Sequence, residues 1–224
     1  MQEEKKKIVR ISLEGNIGAG KSELLKFLSR NGHQVVLEPT DQWEAIHDSK
    51  TGKNIIELLY ENPQKHAFMF QIFALATRIQ AIENTVAPGG RLILERCIDT
   101  DKFVFAKSLH LQGFLSDMEY EVYRAYAHRA AANLRNPGSE FSVDGMIYLR
   151  TSTDRCLERI QKRNRKGEEN IDMDYLEILE DAHEEMIDKA IAQGIPVLIL
   201  DGDLGLLDLP HKMIQINELL HVFD

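Results

Sequence analysis

Cysteine is nearly missing from this chain: only Cys97 and Cys156 occur, far apart and without metal-ligand spacing, which excludes a disulfide framework and a zinc cluster. A reducing compartment is therefore expected, and the cytoplasm as the location. No apolar run approaches the roughly 18 residues that a membrane span requires. The start, Met1-Gln2-Glu3-Glu4-Lys5-Lys6-Lys7, leads into only a short apolar run and fits neither a signal peptide nor an acid-poor transit peptide. Basic residues are in deficit: 27 Lys and Arg face 36 Asp and Glu, a formal net charge of −9, which argues against a nucleic-acid or anionic-membrane binder. Any anion handled by this chain must be met by a local cluster. Internal repeats, low-complexity tracts and Pro/Gly/Ser linkers are also lacking, so one domain over residues 1–224 is the economical reading.

Short aliphatic runs alternate with longer helical patterns, which points to parallel strands joined by right-handed helical crossovers. Strands are expected near Ile8–Leu13, Gln34–Leu37, Arg91–Leu94, Gly145–Leu149 and Val197–Leu200. Helices are expected over Lys21–Ser29, Asn54–Tyr60, Gln64–Val86, Asp101–Leu111, Asp117–Asn133, Thr153–Arg163, Met173–Ala192 and His211–Val222. Asn31-Gly32, Asn62-Pro63 and Pro88-Gly89-Gly90 supply the breaks.

Between the first strand and the first helix stands Gly15-Asn16-Ile17-Gly18-Ala19-Gly20-Lys21-Ser22, which fits G-x-x-x-x-G-K-[ST]. Small residues let backbone N–H groups converge on phosphate oxygens at a helix N-terminus whose dipole favours anions. Lys21 can follow the outer phosphates of a nucleoside triphosphate, and the Ser22 hydroxyl can ligate Mg²⁺. The expected fold is a three-layer α/β fold of P-loop NTPase type, a five-stranded parallel sheet flanked by helices.

Two carboxylates follow strands at the edge where open α/β sheets place their ligands. Glu38, before Pro39, can accept a proton from a hydroxyl undergoing phosphorylation, or simply cap the next turn. Glu95 can hold Mg²⁺ or its waters, and Arg96 can clamp the reacting phosphate; a structural pair is the alternative. The segment Arg155–Lys166 sets six basic residues against the single acid Glu158, a cationic face that suits a mobile lid over about 159–171, or a solvated helix. Gly167 marks its tip. Aromatic residues Trp43, Tyr60, Phe68, Phe70 and Phe73, with Gln71, Arg78, Asp101 and Phe105, have the makings of a nucleobase pocket, although core packing accounts for Phe68 and Phe73.

From Ile11 to about Asp201 the chain resembles the deoxynucleoside kinase family. The markers are Leu13 to Ser22, Glu38-Pro39, Tyr60-Glu61-Asn62-Pro63, Phe70-Gln71, Glu95-Arg96-Cys97, and Arg159 to Arg165 followed by Glu168. The resemblance implies a Mg·ATP-dependent enzyme that phosphorylates the 5′-hydroxyl of a deoxynucleoside in nucleotide salvage. It makes Glu38 the base, with Glu95 as the Mg²⁺ carboxylate or alternative base, and Arg96 the residue that positions substrate and phosphate. Tyr60 and Glu168 would hold the 3′-hydroxyl, the tyrosine crowding a 2′-hydroxyl. Gln71 would pair with the base, Phe70 and Phe105 flank it, and Trp43 and Ile56 close the pocket. Arg159, Arg163 and Arg165 match the lid arginines; Leu200-Asp201-Gly202 matches the loop near the donor adenine. Ala74, Arg78 and Asp101 fall where the family tunes base choice, and a charged pair there favours deoxycytidine or a purine deoxynucleoside over thymidine. The resemblance also implies a homodimer through helices matching Gln64–Val86 and Asp101–Leu111. Two departures stand out: Cys97 replaces a common serine, and Glu169-Asn170-Ile171-Asp172 lacks a proline, so Glu169 competes with Glu168 for the 3′-hydroxyl.

Competing readings are a nucleoside monophosphate kinase of thymidylate-kinase type and a non-catalytic nucleotide-binding subunit or switch. The first needs an extra arginine clamp and no strong base. A GTP switch would carry Asn-Lys-x-Asp, which does not occur, and a dead homologue would lose Glu38, Arg96 or the lid arginines, all of which are kept.

Overall fold

The computed structural model describes residues 8–85, 90–134 and 139–223; the Met1–Lys7 start, the end of the helix expected to Val86, and Pro88-Gly89 lie outside them. Five strands, β1 (Val9–Glu14), β2 (Val35–Val36), β3 (Arg91–Glu95), β4 (Gly145–Arg150) and β5 (Val197–Asp201), form one parallel sheet in the order β2-β3-β1-β4-β5. The period-two pleat sorts their side chains onto two covered faces. Ile11, Leu13, Ile93, Ile147 and Leu149 pack with α1 (Lys21–Arg30) and α10 (Leu209–His221) through Leu24, Leu28, Ile216 and Leu220. Leu92, Leu94, Met146 and Tyr148 face the opposite layer, where Leu75, Tyr123 and Leu179 come from α4 (Pro63–Glu83), α7 (Asp117–Ala130) and α9 (Met173–Ala192). Each buried aliphatic chain stabilises by about 1.5–3 kcal/mol, so a one-residue slip that exchanged the faces is strongly disfavoured.

The register aligns the chemistry. Leu13 pairs with Glu95 and Val36 with Leu94. The residues that follow β1, β2 and β3 therefore emerge together at one sheet edge. Chain order reverses at β1, which has β3 on one side and β4 on the other, the switch point where open α/β sheets form a crevice.

Several elements differ from expectation. The short stretch α2 (Thr40–Ala45), with Trp43 its buried residue, is helical although no apolar periodicity announces it. The helix expected over Asp101–Leu111 is composite: α5 (Ile98–Thr100), a π-helical segment Asp101–Ala106, then α6 (Lys107–Leu111). It turns Asp101, Phe105 and Leu109 toward the crevice, leaving Leu111 strongly exposed. Between them α3 (Ile55–Glu61) begins at a capping box in which Asn54 accepts from Ile56 and Glu57 N–H and Glu57 reaches back to Asn54 N–H. The remaining helix, α8 (Thr153–Arg163), ends with Asn164 in the left-handed region and is followed by a 3₁₀ turn, Glu168–Asn170.

Candidate active site

The phosphate loop is shaped by what cannot fit in it. Gly15, at φ +147°, would place a Cβ 2.7 Å from the Leu149 carbonyl oxygen, and a Cβ on Gly18 would strike the Cys156 carbonyl, so only glycine lets the loop curl this tightly. Asn16 fastens it, its amide donating to the Leu176 carbonyl at 2.8 Å and its oxygen accepting from Ile17 N–H. Gly20 caps α1 without any side-chain hydrogen bond to the helix amides, which leaves those donors for an anion. Lys21 is buried and donates to the carbonyls of Gly15 and Asn16 at 2.9 and 2.8 Å. Burial, aided by the nearby Arg96 charge, pushes its amine down to about 7.

Opposite the loop, Glu38 sits between two arginines. Arg96 Nη1 donates to both its oxygens at 3.1 and 3.0 Å, and Arg78 Nη2 to Oε1 at 2.8 Å. Burial would raise the Glu38 carboxyl, but the Arg96 and Arg78 charges outweigh it and hold the group at about 2. Arg96 adopts φ 61°, unusual for a non-glycine residue. Its N–H donates to the Leu13 carbonyl and its Nη2 to the Gly15 carbonyl, and the guanidinium lies 4.9 Å from the Phe105 ring centroid. The strained turn thus aims the guanidinium between the phosphate loop and Glu38. Ser22 Oγ donates to Glu95 Oε1 at 2.6 Å, while Glu95 Oε2 accepts from Glu38 N–H. Ser22 and Glu95 present adjacent hard oxygens, a donor pair whose chemistry would fit a magnesium ion.

A cavity of about 400 Å³ joins these groups to the aromatic cluster. Trp43 donates from Nε1 to Thr77 Oγ1 and meets Phe70 edge to face at 5.3 Å, so the indole wall is fixed. Gln71 is 3% exposed and its amide oxygen has no hydrogen-bond partner among the described residues, an arrangement that costs about 1–3 kcal/mol unless a ligand or water satisfies it. Arg78 is satisfied on every side, by Asp101 at 2.7 and 3.0 Å, by Glu38, and by the Glu95 carbonyl. Ala74 and Ile56 line the same wall.

The lid arginines divide. Arg159 donates to the Ala19 and Gly202 carbonyls at 2.8 and 2.9 Å, tying the phosphate loop to the turn after β5. Arg163 and Arg165 both bond Glu168, and Arg165 also pairs with Glu44 of α2 at 3.1 Å. Glu168 is buried and lines the cavity, whereas Glu169 is exposed away from it. Tyr60 shares that wall, with Tyr175 and Glu168 close enough that they, after burial itself, push its hydroxyl pKa up. Arg155, by contrast, is exposed and paired with Glu158, the solvated reading of that part of the basic run.

Most expected site residues converge on this one cavity; Gly15, Asn16, Ala19, Leu200, Asp201 and Gly202 do not line it. The first three shape the loop from behind, Gly202 anchors Arg159, Leu200 is core, and Asp201 is exposed. Tyr175, Thr40, Leu59 and Leu109 line the cavity without having been singled out. Tyr175 lies at the start of α9 with nothing in its local pattern to separate it from core packing; Thr40 could have been found, since it directly follows Glu38-Pro39.

The sequence model of the deoxynucleoside kinase family matches residues 11–221. A fowlpox virus protein named as a probable deoxycytidine kinase is 35% identical over 96% of this chain and 87% of its own. Deoxycytidine kinase 2 of Gallus gallus is 35% identical over 88% of this chain and 83% of its own. A mitochondrial deoxyguanosine kinase of Xenopus laevis is 31% identical over 87% and 81%. The match runs through the phosphate loop, the Glu38–Arg96 pair and the lid alike, and the chain belongs to the deoxynucleoside kinase family and is a deoxynucleoside kinase.

Proposed function

We propose that the chain transfers the γ-phosphate of Mg·ATP to the 5′-hydroxyl of a deoxynucleoside in nucleotide salvage, with deoxycytidine or a purine deoxynucleoside preferred over thymidine. The observation that carries this reading is Glu38, a carboxylate held by Arg96 and Arg78 on the cavity wall across from Lys21 and Ser22. A phosphate acceptor that was already an anion would be repelled by that carboxylate, which disfavours a monophosphate kinase.

Lys21 and the open amides of α1 bind the triphosphate. Ser22 and Glu95 would hold a magnesium ion, which when bound would supply charge neutralisation to the donor phosphates. Arg96 and Arg165 stabilise charge on the transferring group. Glu38 at about 2 is a weak base. Its work is to orient the 5′-hydroxyl and take its proton late, as a loose transition state allows. Tyr60 and Glu168 hold the 3′-hydroxyl, the tyrosine crowding any 2′-hydroxyl. The orphaned Gln71 oxygen gains a partner from the base, between Phe70 and Phe105, and the charged Arg78–Asp101 pair disfavours the 5-methyl group of thymidine. The names of the fowlpox virus and Gallus relatives support deoxycytidine. Free, buried thiols at Cys97 and Cys156 suit a cytoplasmic setting.

Incubation with Mg·ATP and a panel of deoxynucleosides, ribonucleosides and monophosphates tests the reading: 5′-monophosphate should form fastest from deoxycytidine or a purine deoxynucleoside. A preference for thymidine, or for a monophosphate acceptor, would overturn it. Glu38→Gln should lower kcat by roughly 10²-fold or more while leaving ATP affinity unchanged; a wild-type rate removes Glu38 as the base.

A further inference from the structure

One buried carboxyl beside the site has no part in the chemistry just described. Glu14, the last residue of β1, is 0% exposed. Its Oε2 accepts a 2.7 Å hydrogen bond from Thr100 Oγ1, and its Oε1 makes no hydrogen bond of good geometry among the described residues, although the Ser12 hydroxyl and the Cys97 thiol lie near the carboxyl. Burying a carboxyl completely is costly, and an apolar side chain of similar size would be cheaper for stability alone. The position suggests what offsets that cost. Thr100 Oγ1 also accepts from Cys97 N–H at 3.2 Å, closing the turn that follows Glu95-Arg96. On either side of Glu14, the Leu13 carbonyl takes the Arg96 N–H and the Gly15 carbonyl takes Arg96 Nη2. Three consecutive residues of the β1–loop junction therefore hold three points of the β3 turn. Glu14 is the only one of the three that does so through its side chain. Burial pushes its carboxyl up from the usual range, opposed by hydrogen bonding from Thr100 and Ser12 and by the Arg96 charge.

We infer that Glu14 is a positioning residue for phosphoryl transfer: through Thr100 it keeps the strained Arg96 turn in register with the phosphate loop, so that the clamp and the donor cradle stay aligned. The inference rests on the reading of Arg96 as the clamp. A shift of the order of an ångström in such a clamp costs up to about 10²-fold in rate with little effect on ground-state binding.

Steady-state kinetics on the full chain provide the test, with E14A, E14Q, T100V, the E14A/T100V double variant and R96A, each checked by thermal unfolding. E14A is expected to lower kcat by about tenfold or more with both KM values within about threefold of wild type. E14Q, which retains an acceptor oxygen, should recover the rate to within about threefold, and adding T100V to E14A should cost little more because both remove one contact. A wild-type kcat in E14A, a loss confined to KM, or multiplicative effects in the double variant would overturn the inference. Should E14A not fold, T100V reads the same contact, and a wild-type kcat there is equally fatal. R96A separates the premise: full activity in R96A sinks the clamp itself, whereas a dead R96A beside a fully active E14A sinks only the role of Glu14.

Discussion

At the scale of single residues the site is built from charges that would be unfavourable alone. Lys21 is an example: its amine is satisfied by two carbonyls, yet burial and Arg96 bring it down to about 7. Because the folded-state value lies below that of a free lysine, protonating Lys21 in the empty protein costs stability. That cost is full below about pH 7 and lifts as pH rises from there toward the unfolded value. A triphosphate reverses the balance by supplying negative charge at the amine. At about pH 8 the empty site holds mostly neutral lysine and the occupied site mostly charged lysine, so binding should take up close to one proton. Calorimetric titration with ATP in buffers of different ionisation enthalpy measures this as the slope of apparent enthalpy. A slope of zero would show that Lys21 is already charged before the donor arrives.

At the scale of elements the lid depends on one close approach. Gly167 has φ +89°, and a Cβ there would lie 2.9 Å from the Cα of Glu57, so the lid tip rests directly against the backbone of α3. Gly167→Ala adds left-handed strain and a clash of about 1–3 kcal/mol. It should lift the tip and carry Glu168 away from Tyr60 on that same helix. The expected result is about a tenfold rise in nucleoside KM with the melting temperature lowered by only a few degrees; an unaltered KM would show that the tip can shift without consequence. The lid arginines themselves were legible from their spacing, but not their partners: Glu44 lies on α2, whose six residues, with Trp43 the one large apolar side chain, show no apolar period. The π-helical turn of Asp101–Ala106 was equally hidden, because i to i+5 bonding leaves no trace in hydrophobic spacing and was read as continuous helix. The phosphate loop and the sheet were legible because backbone sterics and the two-residue pleat demand particular residue types. Tyr175 and Thr77 reach the site through tertiary packing, which no local pattern encodes.

At the scale of the whole molecule, one face of the helical layer is apolar and exposed among the described residues. Met118, Val122 and Tyr126 recur every four residues along α7 and are 73%, 47% and 41% exposed. Met69 of α4, at 47%, adds to the apolar exposure of this layer, and α4 packs against α7 within the chain. A net charge of −9 would drive copies apart unless such a stripe were buried between them. We propose a two-fold homodimer in which α4 and α7 meet their own copies, with α7 in the place that the sequence suggested for the 101–111 helix. The inner side of α7 gives the assembly a further consequence. Tyr123 is 0% exposed, and its hydroxyl lies close enough to Asp101 and Arg78 for their charges to act on it. A braced α7 would then steady the pair that reads the base. Exchanging Met118 and Val122 for glutamate should convert a two-chain species to a single chain in sedimentation at micromolar concentration. It should also erode discrimination between deoxycytidine and thymidine more than it lowers kcat. A wild-type protein that sediments as a single chain would refute the dimer, and a monomeric variant with undiminished discrimination would cut the link from α7 to the base pocket.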